Sequence, residues 1–306
     1  MSGRPHRRPL RSLLFVPGNR PDRFAKAVAS GADAIIIDLE DSVPRGDLDE
    51  ARRVTREFLE VRDTHPRDGT AVFVRIAAAD SPDVSGDIEA VCMPSLYGVV
   101  LPMVREPADI VAVDQMLTRA EQRAGMEPGH VVLKPGLETP QSIRAAYDIA
   151  IASDRVDYMG GGTSDQGDVA RGIGYRWTPD GLETLYVRSK VLLDARAAGI
   201  ENPVTGVWGT IADLQGLKSF AEQGRQLGYR GMAVIHPAHV GVVNSAFSPT
   251  PAEIEAWGMV ITRMQALQAA GVGAATLDGR LIDQANIQTA REGLRWAREL
   301  GLLPAR

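Results

Sequence analysis

The feature that most constrains this chain is a short apolar run, ending in small or polar residues and followed by a helix-like segment, that recurs eight times. The runs cover residues 12–18, 32–41, 70–77, 97–104, 131–139, 156–162, 203–210 and 231–238. Such a run followed by a helical pattern is the sequence form of a βα unit. Ala34-Ile35-Ile36-Ile37 and Val99-Val100-Leu101 are apolar without alternation, as expected of strands covered on both faces of a parallel sheet. Helical patterns lie at 21–29, 48–61, 108–123, 141–152, 179–198 and 211–227. Pro21 and Pro179 fall in first turns, where a missing N–H is harmless. Residues 80–95, rich in Asp, Ser and Pro, read as mostly loop. Eight units predict a closed (β/α)8 TIM barrel, with an open doubly wound sheet as the alternative.

The barrel is expected to occupy residues 1–248 as the catalytic domain, leaving 249–306 as a C-terminal helical extension that packs on a neighbouring subunit. In that extension a helix over 251–270 is followed by a glycine-rich break at 271–275, a stretch at 277–282 and a last helix to about residue 300. A hydrophobic share of 44% and a charged share of 24% leave room for such a core and argue against disorder. Net charge is −5, and the basic run from Arg4 to Arg11 sits beside Pro5 and Pro9. It reads as a tail, so no nucleic-acid partner is expected. Cys92 is the sole cysteine, which excludes an internal disulfide and a thiolate metal cluster and fits a reducing compartment. The apolar stretches 13–16 and 34–37 are too short to cross a bilayer, and no signal-peptide core follows the basic run. The expectation is a cytoplasmic protein with no membrane contact.

In a barrel of this kind the reacting groups sit where strands end. The second run ends in Asp38-Leu39-Glu40-Asp41, the third in Arg75, the fifth in Glu138, and the eighth in His236-Pro237. The sixth runs into Gly160-Gly161-Gly162-Thr163-Ser164-Asp165-Gln166-Gly167-Asp168. Carboxylates converging from different strands repel, and either bind a hard cation such as Mg²⁺ or share a proton. Mg²⁺ takes one or two carboxylates plus waters and substrate oxygens, so Glu138 with Asp165 or Asp168 would suffice. The competing reading is that each acid merely caps the following helix. Arg75, after Val72-Phe73-Val74, needs an anion: a substrate carboxylate or thioester oxygen, or an internal salt bridge to Glu40 or Asp41. His236 and His239 lack the His-Glu-x-x-His context of a zinc site, no Walker loop is present, and Gly160–Gly162 lacks dinucleotide spacing.

These residues resemble the HpcH/HpaI aldolase and citrate lyase beta-subunit superfamily, in its coenzyme A-ester lyase branch, over nearly the whole chain. The resemblance is carried by Arg11-Ser12-Leu13-Leu14-Phe15-Val16-Pro17-Gly18, by Ala32-Asp33-Ala34-Ile35-Ile36-Ile37-Asp38-Leu39-Glu40-Asp41-Ser42-Val43 and by Val74-Arg75-Ile76. Leu137-Glu138-Thr139, Val234-Ile235-His236-Pro237 and Asp278-Gly279-Arg280-Leu281-Ile282-Asp283 complete it. It implies a homotrimer or hexamer, Mg²⁺ held by Glu138 and an aspartate, and Arg75 stabilising a developing enolate oxygen beside Glu40 and Asp41. It further implies coenzyme A near Arg11, Pro17 and Gly18, and Asp283, delivered by a neighbouring chain, as acid or base. The chain departs from the family in two places. Leu101-Pro102-Met103 stands where the family often has Leu-Pro-Lys, removing a cation from that mouth. The sixth loop is longer and offers two aspartates: Asp165 follows Gly162 at the family spacing, whereas Asp168 stands six residues before Gly174. The activity so implied is a Mg-dependent carbon–carbon lyase acting on a malyl-, methylmalyl-, citramalyl- or citryl-CoA-like ester. Hydrolysis of the same thioesters, or a degenerate paralogue that only binds acyl-CoA, are the alternatives.

Overall fold

The computed structural model describes residues 6–62, 69–269, 275–277 and 280–304. The first residues of the basic run, the glycine-rich break at 271–274 and Asp278-Gly279 lie outside them. The chain divides into two compact units, 1–247 and 248–306.

In the first unit β1 (Ser12–Pro17) leads through a 3-10 turn into α1 (Phe24–Ala29), then β2 (Ala34–Asp38), α2 (Leu48–Glu60), β3 (Ala71–Arg75) and α3 (Val84–Val91). β4 (Gly98–Leu101), α4 (Pro107–Arg123), β5 (Val132–Pro135), α5 (Pro140–Arg144) and α6 (Ala146–Ile151) follow. The unit is completed by α7 (Asp168–Ile173), α8 (Leu182–Ala197), β6 (Val204–Thr205), α9 (Leu214–Leu227), β7 (Gly231–Val234) and α10 (Pro237–Ala246). Local chemistry explains the helix bounds. α4 opens with Pro107 in its first turn and a reciprocal cap between Glu106 and Asp109. α2 buries Ala51, Val54 and Leu59 while Arg53 pairs with Glu50 and Glu57 on its wet side. α3 forms where loop was expected, because Val84, Ile88 and Val91 recur at helical spacing and all are buried.

All seven strands are parallel, in the order β5-β4-β3-β2-β1-β7-β6. The closed eight-stranded barrel expected from the sequence is therefore corrected to an open, curled sheet in the α/β class. The sixth run, 156–162, forms no ladder: it makes one bridge, Leu133 to Val156, among the described residues. Tyr158 then turns left-handed at φ 53°, and its hydroxyl is drawn to Tyr97 at 2.7 Å and to the Arg8 carbonyl at 2.8 Å. An extended strand cannot continue through that conformation. Gly160 presses its backbone against Val204, so closely that any side chain there would overlap the Val204 carbonyl, and β6 is only two residues long.

Register sorts the side chains of one sheet face into three rows. Leu13, Ala34 and Ala71 form the first, and Phe15, Ile36, Phe73, Gly98 and Val132 the second. The third is Pro17, Asp38, Arg75, Val100 and Lys134. The first two rows, with Tyr97 and Tyr158, make a compact apolar plug. A methyl at Gly98 would lie 2.6 Å from the Phe73 ring, so this position is kept bare for the aromatic side chain. Charge is confined to the third row, at the C-terminal ends of the strands. The opposite face carries Leu14, Val16, Ile35, Ile37, Val72, Val74, Val99 and Leu101 into the larger core under the helices.

Arg155, just before the failed strand, ties that segment to α4 by forking onto buried Glu121 (2.6 and 2.7 Å) and pairing with Asp114. Glu121 also accepts from the N–H groups of Gly129 and Val131.

The second unit holds α11 (Pro251–Ala269), an antiparallel pair β8 (Ala275–Leu277) and β9 (Arg280–Ile282), and α12 (Gln284–Glu299). Met264, Ile282 and Ile287 form its apolar centre. Among the described residues no helix is long and apolar enough to cross a membrane.

Candidate active site

The third row floors a cavity of about 1020 Å³ at the C-terminal strand ends, lined among others by Arg75, Lys134, Glu138 and Asp168. Its organising interaction was not singled out from sequence. Buried Asp38 forks onto Arg75, Oδ1 to Nε at 2.7 Å and Oδ2 to Nη2 at 2.8 Å. The N–H groups of Glu40 and Ser42 hold the same carboxylate, and the guanidinium with these bonds keeps it below the usual carboxylate range despite burial. Register made this pair, since Asp38 stands directly opposite Arg75.

The remaining Arg75 nitrogen faces two acids. Nη1 donates to Asp41 at 3.1 Å and stands 2.9 Å from Glu40 Oε2. The aligned N–H goes to Asp41, so Glu40 Oε2 is left buried with attraction but no hydrogen bond. Burial, which the Arg75 charge only partly offsets, with Asp41, Glu138 and Asp38 adding repulsion, pushes Glu40 up to about 7. Arg75 thus makes the internal ion pairs considered from sequence and still lines the cavity.

Glu138 leaves β5 three residues after its end. Its Oε2 accepts from the Met103 N–H at 3.0 Å, and Oε1 accepts no hydrogen bond among the described residues. Met103 is left-handed at φ 50°, so at this position it is the strained backbone, not the side chain, that supports the site. Gly136 leaves room for the folded-back carboxylate, 2.8 Å from where a Cβ would be. Burial first, and the charge of Asp168 in addition, raise the Glu138 pKa.

Asp168 opens α7, pairs with Arg171 and lines the cavity. Asp165 instead lies against Gly209 and is not among the residues that line the cavity. No group of three or more His, Cys, Asp or Glu gathers as a ready metal cage among the described residues. Two hard carboxylates that repel each other beside open volume nevertheless fit Mg²⁺, which keeps most of its waters.

Pro17 lines the cavity, and Gly18 donates its N–H to the Asp38 carbonyl at 2.8 Å. Arg11 is not brought there: it precedes β1 at the opposite end of the sheet and forks onto Asp33 at 2.8 Å. The cations on that rim are Arg20, Arg23 and Lys26. Asp283 belongs to the second unit, where its Oδ1 caps α12 by accepting from Ala285 and Asn286.

Lys134 was also passed over. The run Val131-Val132-Leu133-Lys134-Pro135 places a lysine in a strand whose neighbours are buried, and alternation from Val132 puts it on the cavity face. A lysine therefore stands on the strand adjoining the one that leads to Met103, and it lines the cavity.

Residues 11–237 match the HpcH/HpaI aldolase/citrate lyase family. A (3S)-malyl-CoA thioesterase of Cereibacter sphaeroides is 34% identical over 297 residues, covering 97% of this chain and 98% of the relative. The citrate lyase subunit beta of Escherichia coli is 32% identical over 283 residues, 92% of this chain and 91% of that one. The CitE protein of Mycobacterium tuberculosis, solved in complex with magnesium, acetoacetate and coenzyme A, is 27% identical with a TM-score of 0.72, covering 95% of this chain and 98% of its own. On the match of sequence, fold and strand-end chemistry together, the chain belongs to the HpcH/HpaI aldolase/citrate lyase family of enzymes.

Proposed function

We propose that the cavity binds the coenzyme A thioester of a small hydroxy-dicarboxylic acid and that the protein makes or breaks the carbon–carbon bond next to the thioester carbonyl. The carrying observation is that Arg75, Glu138 and Asp168 line one cavity at the strand ends. Glu138 and Asp168 would hold Mg²⁺, which when bound polarises the α-oxygenated carboxylate end of the substrate. In the cleavage direction the substrate hydroxyl gives its proton to ionised Glu40, the C–C bond breaks to leave the oxo acid, and its electron pair moves onto the thioester as an enolate. Arg75, aimed by Asp38, stabilises that oxygen. Glu40, with a pKa of about 7, suits proton transfer at neutral pH beside it, and Asp41 shares the charge of Arg75. Asp283 of a neighbouring chain in a homotrimer or hexamer is the acid that protonates the enolate carbon. Coenzyme A lies over Pro17 and Gly18, its phosphates toward Arg20, Arg23 and Lys26 in place of Arg11.

Thioester hydrolysis is the second reading, favoured by the similarity to (3S)-malyl-CoA thioesterases. To test both, the pure protein is incubated with Mg²⁺ and malyl-, methylmalyl-, citramalyl- or citryl-CoA. Lyase action yields a shorter acyl-CoA and an oxo acid, whereas hydrolysis yields free coenzyme A and the intact hydroxy acid. No turnover of any ester, with Glu138→Gln leaving Mg²⁺ binding unchanged, would refute the assignment.

A further inference from the structure

Two cations rise from the third row, Arg75 and Lys134, and they are in opposite situations. Arg75 is committed to Asp38, Glu40 and Asp41. The Lys134 ammonium has no hydrogen bond or ion pair among the described residues, although the side chain lines the same cavity. Its flanks on that face are Val132, behind it on β5, and Val100, opposite it on β4, both buried. Burial brings the amine down to about 8, opposed by the charge of Glu138, which lies beyond ion-pair distance. Lys134 is half-buried, and an ammonium with apolar flanks and no ion-pair partner at a cavity wall is held by water alone until an anion arrives to meet it. The protein supplies none at contact distance, and the ammonium is directed at the space a ligand would occupy.

We propose that Lys134 is a specificity-determining residue that reads a free carboxylate on the acyl portion of the thioester, so that the cavity prefers acyl-CoA compounds bearing a carboxylate over uncharged ones of the same length. This rests on the coenzyme A-ester reading above and names what distinguishes the acyl group. Position supports it. Val100 separates Lys134 from Arg75 by one strand in the same row, so a short acyl chain has the guanidinium at one end and the ammonium at the other. One cation then serves the thioester oxygen and the second the remote carboxylate, which gives direction as well as affinity.

The test uses two unreactive thioethers, S-(3-carboxypropyl)-CoA and S-butyl-CoA, titrated calorimetrically into the full-length protein with Mg²⁺ present. Neither can be cleaved or hydrolysed, so turnover plays no part. The wild type is expected to bind the carboxylate compound about tenfold more tightly, the value of one charge-assisted contact. Lys134→Gln and Lys134→Met, the latter filling the same space, should bring the ratio near one while leaving S-butyl-CoA affinity unchanged, and Lys134→Arg should retain part of the preference. A ratio that survives both neutral substitutions overturns the proposal, as does a wild type with no preference. Loss of Mg²⁺ affinity in those variants with the ratio intact also overturns it, giving Lys134 a role in positioning Glu138 instead. A wild type that binds neither thioether removes the coenzyme A reading itself, an outcome distinct from the others.

Discussion

Glu40→Gln should make the metal-free protein more stable at pH 8 and leave it little changed at pH 5. The Glu40 carboxyl sits at about 7 in the fold against an ordinary value of 4.5. Between those values the folded chain holds a proton that the unfolded chain has lost, so stability falls as pH rises through that window and the loss is complete above it. At about 1.4 kcal/mol for each tenfold in proton affinity, the ionised form costs the fold on the order of 3 kcal/mol. Because the side chain is 24% exposed, screening by solvent reduces this to about 2 kcal/mol. Glutamine keeps the shape and carries no charge. Urea unfolding in EDTA at pH 5, 6, 7 and 8 should therefore show the variant-minus-wild-type difference growing steadily toward that figure. Acids outside the Glu40 cluster titrate in both proteins and cancel. A difference that stays flat from pH 5 to 8, or a variant less stable at pH 8, would refute the reasoning, because Glu40 would then be ionised without penalty beside Arg75.

Three further outcomes follow from the packing. Arg155→Met leaves the fully buried Glu121 carboxylate with only backbone N–H partners, so a loss of about 3–5 kcal/mol is expected in denaturant unfolding. Gly98→Ala places a methyl 2.6 Å from the Phe73 ring and 2.8 Å from the Val132 carbonyl, and the ring must move, costing about 1–3 kcal/mol in the same measurement. Asp38→Asn removes the charge that aims Arg75; kcat on the best thioester should fall on the order of 100-fold with KM less affected, whereas equal losses in the two would speak against a positioning role.

The parts of this molecule legible in sequence are those fixed by local pattern, and the parts that were not depend on partners distant in the chain. Ile35 and Ile37 announce a buried strand by themselves. The failure of the sixth strand does not show in Val156 to Met159, which could extend; it goes with Tyr97 and Arg8, which hold the Tyr158 hydroxyl where the chain turns at φ 53°. Residues 80–95 misled in the other direction, because Asp and Pro outweighed three apolar residues at helical spacing. At the site, residue type was a good guide to which strand ends matter and a poor one to which atoms are engaged. Asp38, Glu40 and Asp41 are equivalent as letters. Parity distinguishes them: Asp38 shares a face with Ile36 and register sets it against Arg75, so it becomes the anchor, and Glu40 is left buried with attraction but no hydrogen bond. The same alternation, applied from Val132, marks Lys134 as a cavity residue from sequence alone. Arg11 reverses the lesson, for a basic residue before the first strand must lie at that strand's N-terminal end, the length of the sheet away from chemistry that gathers where strands finish.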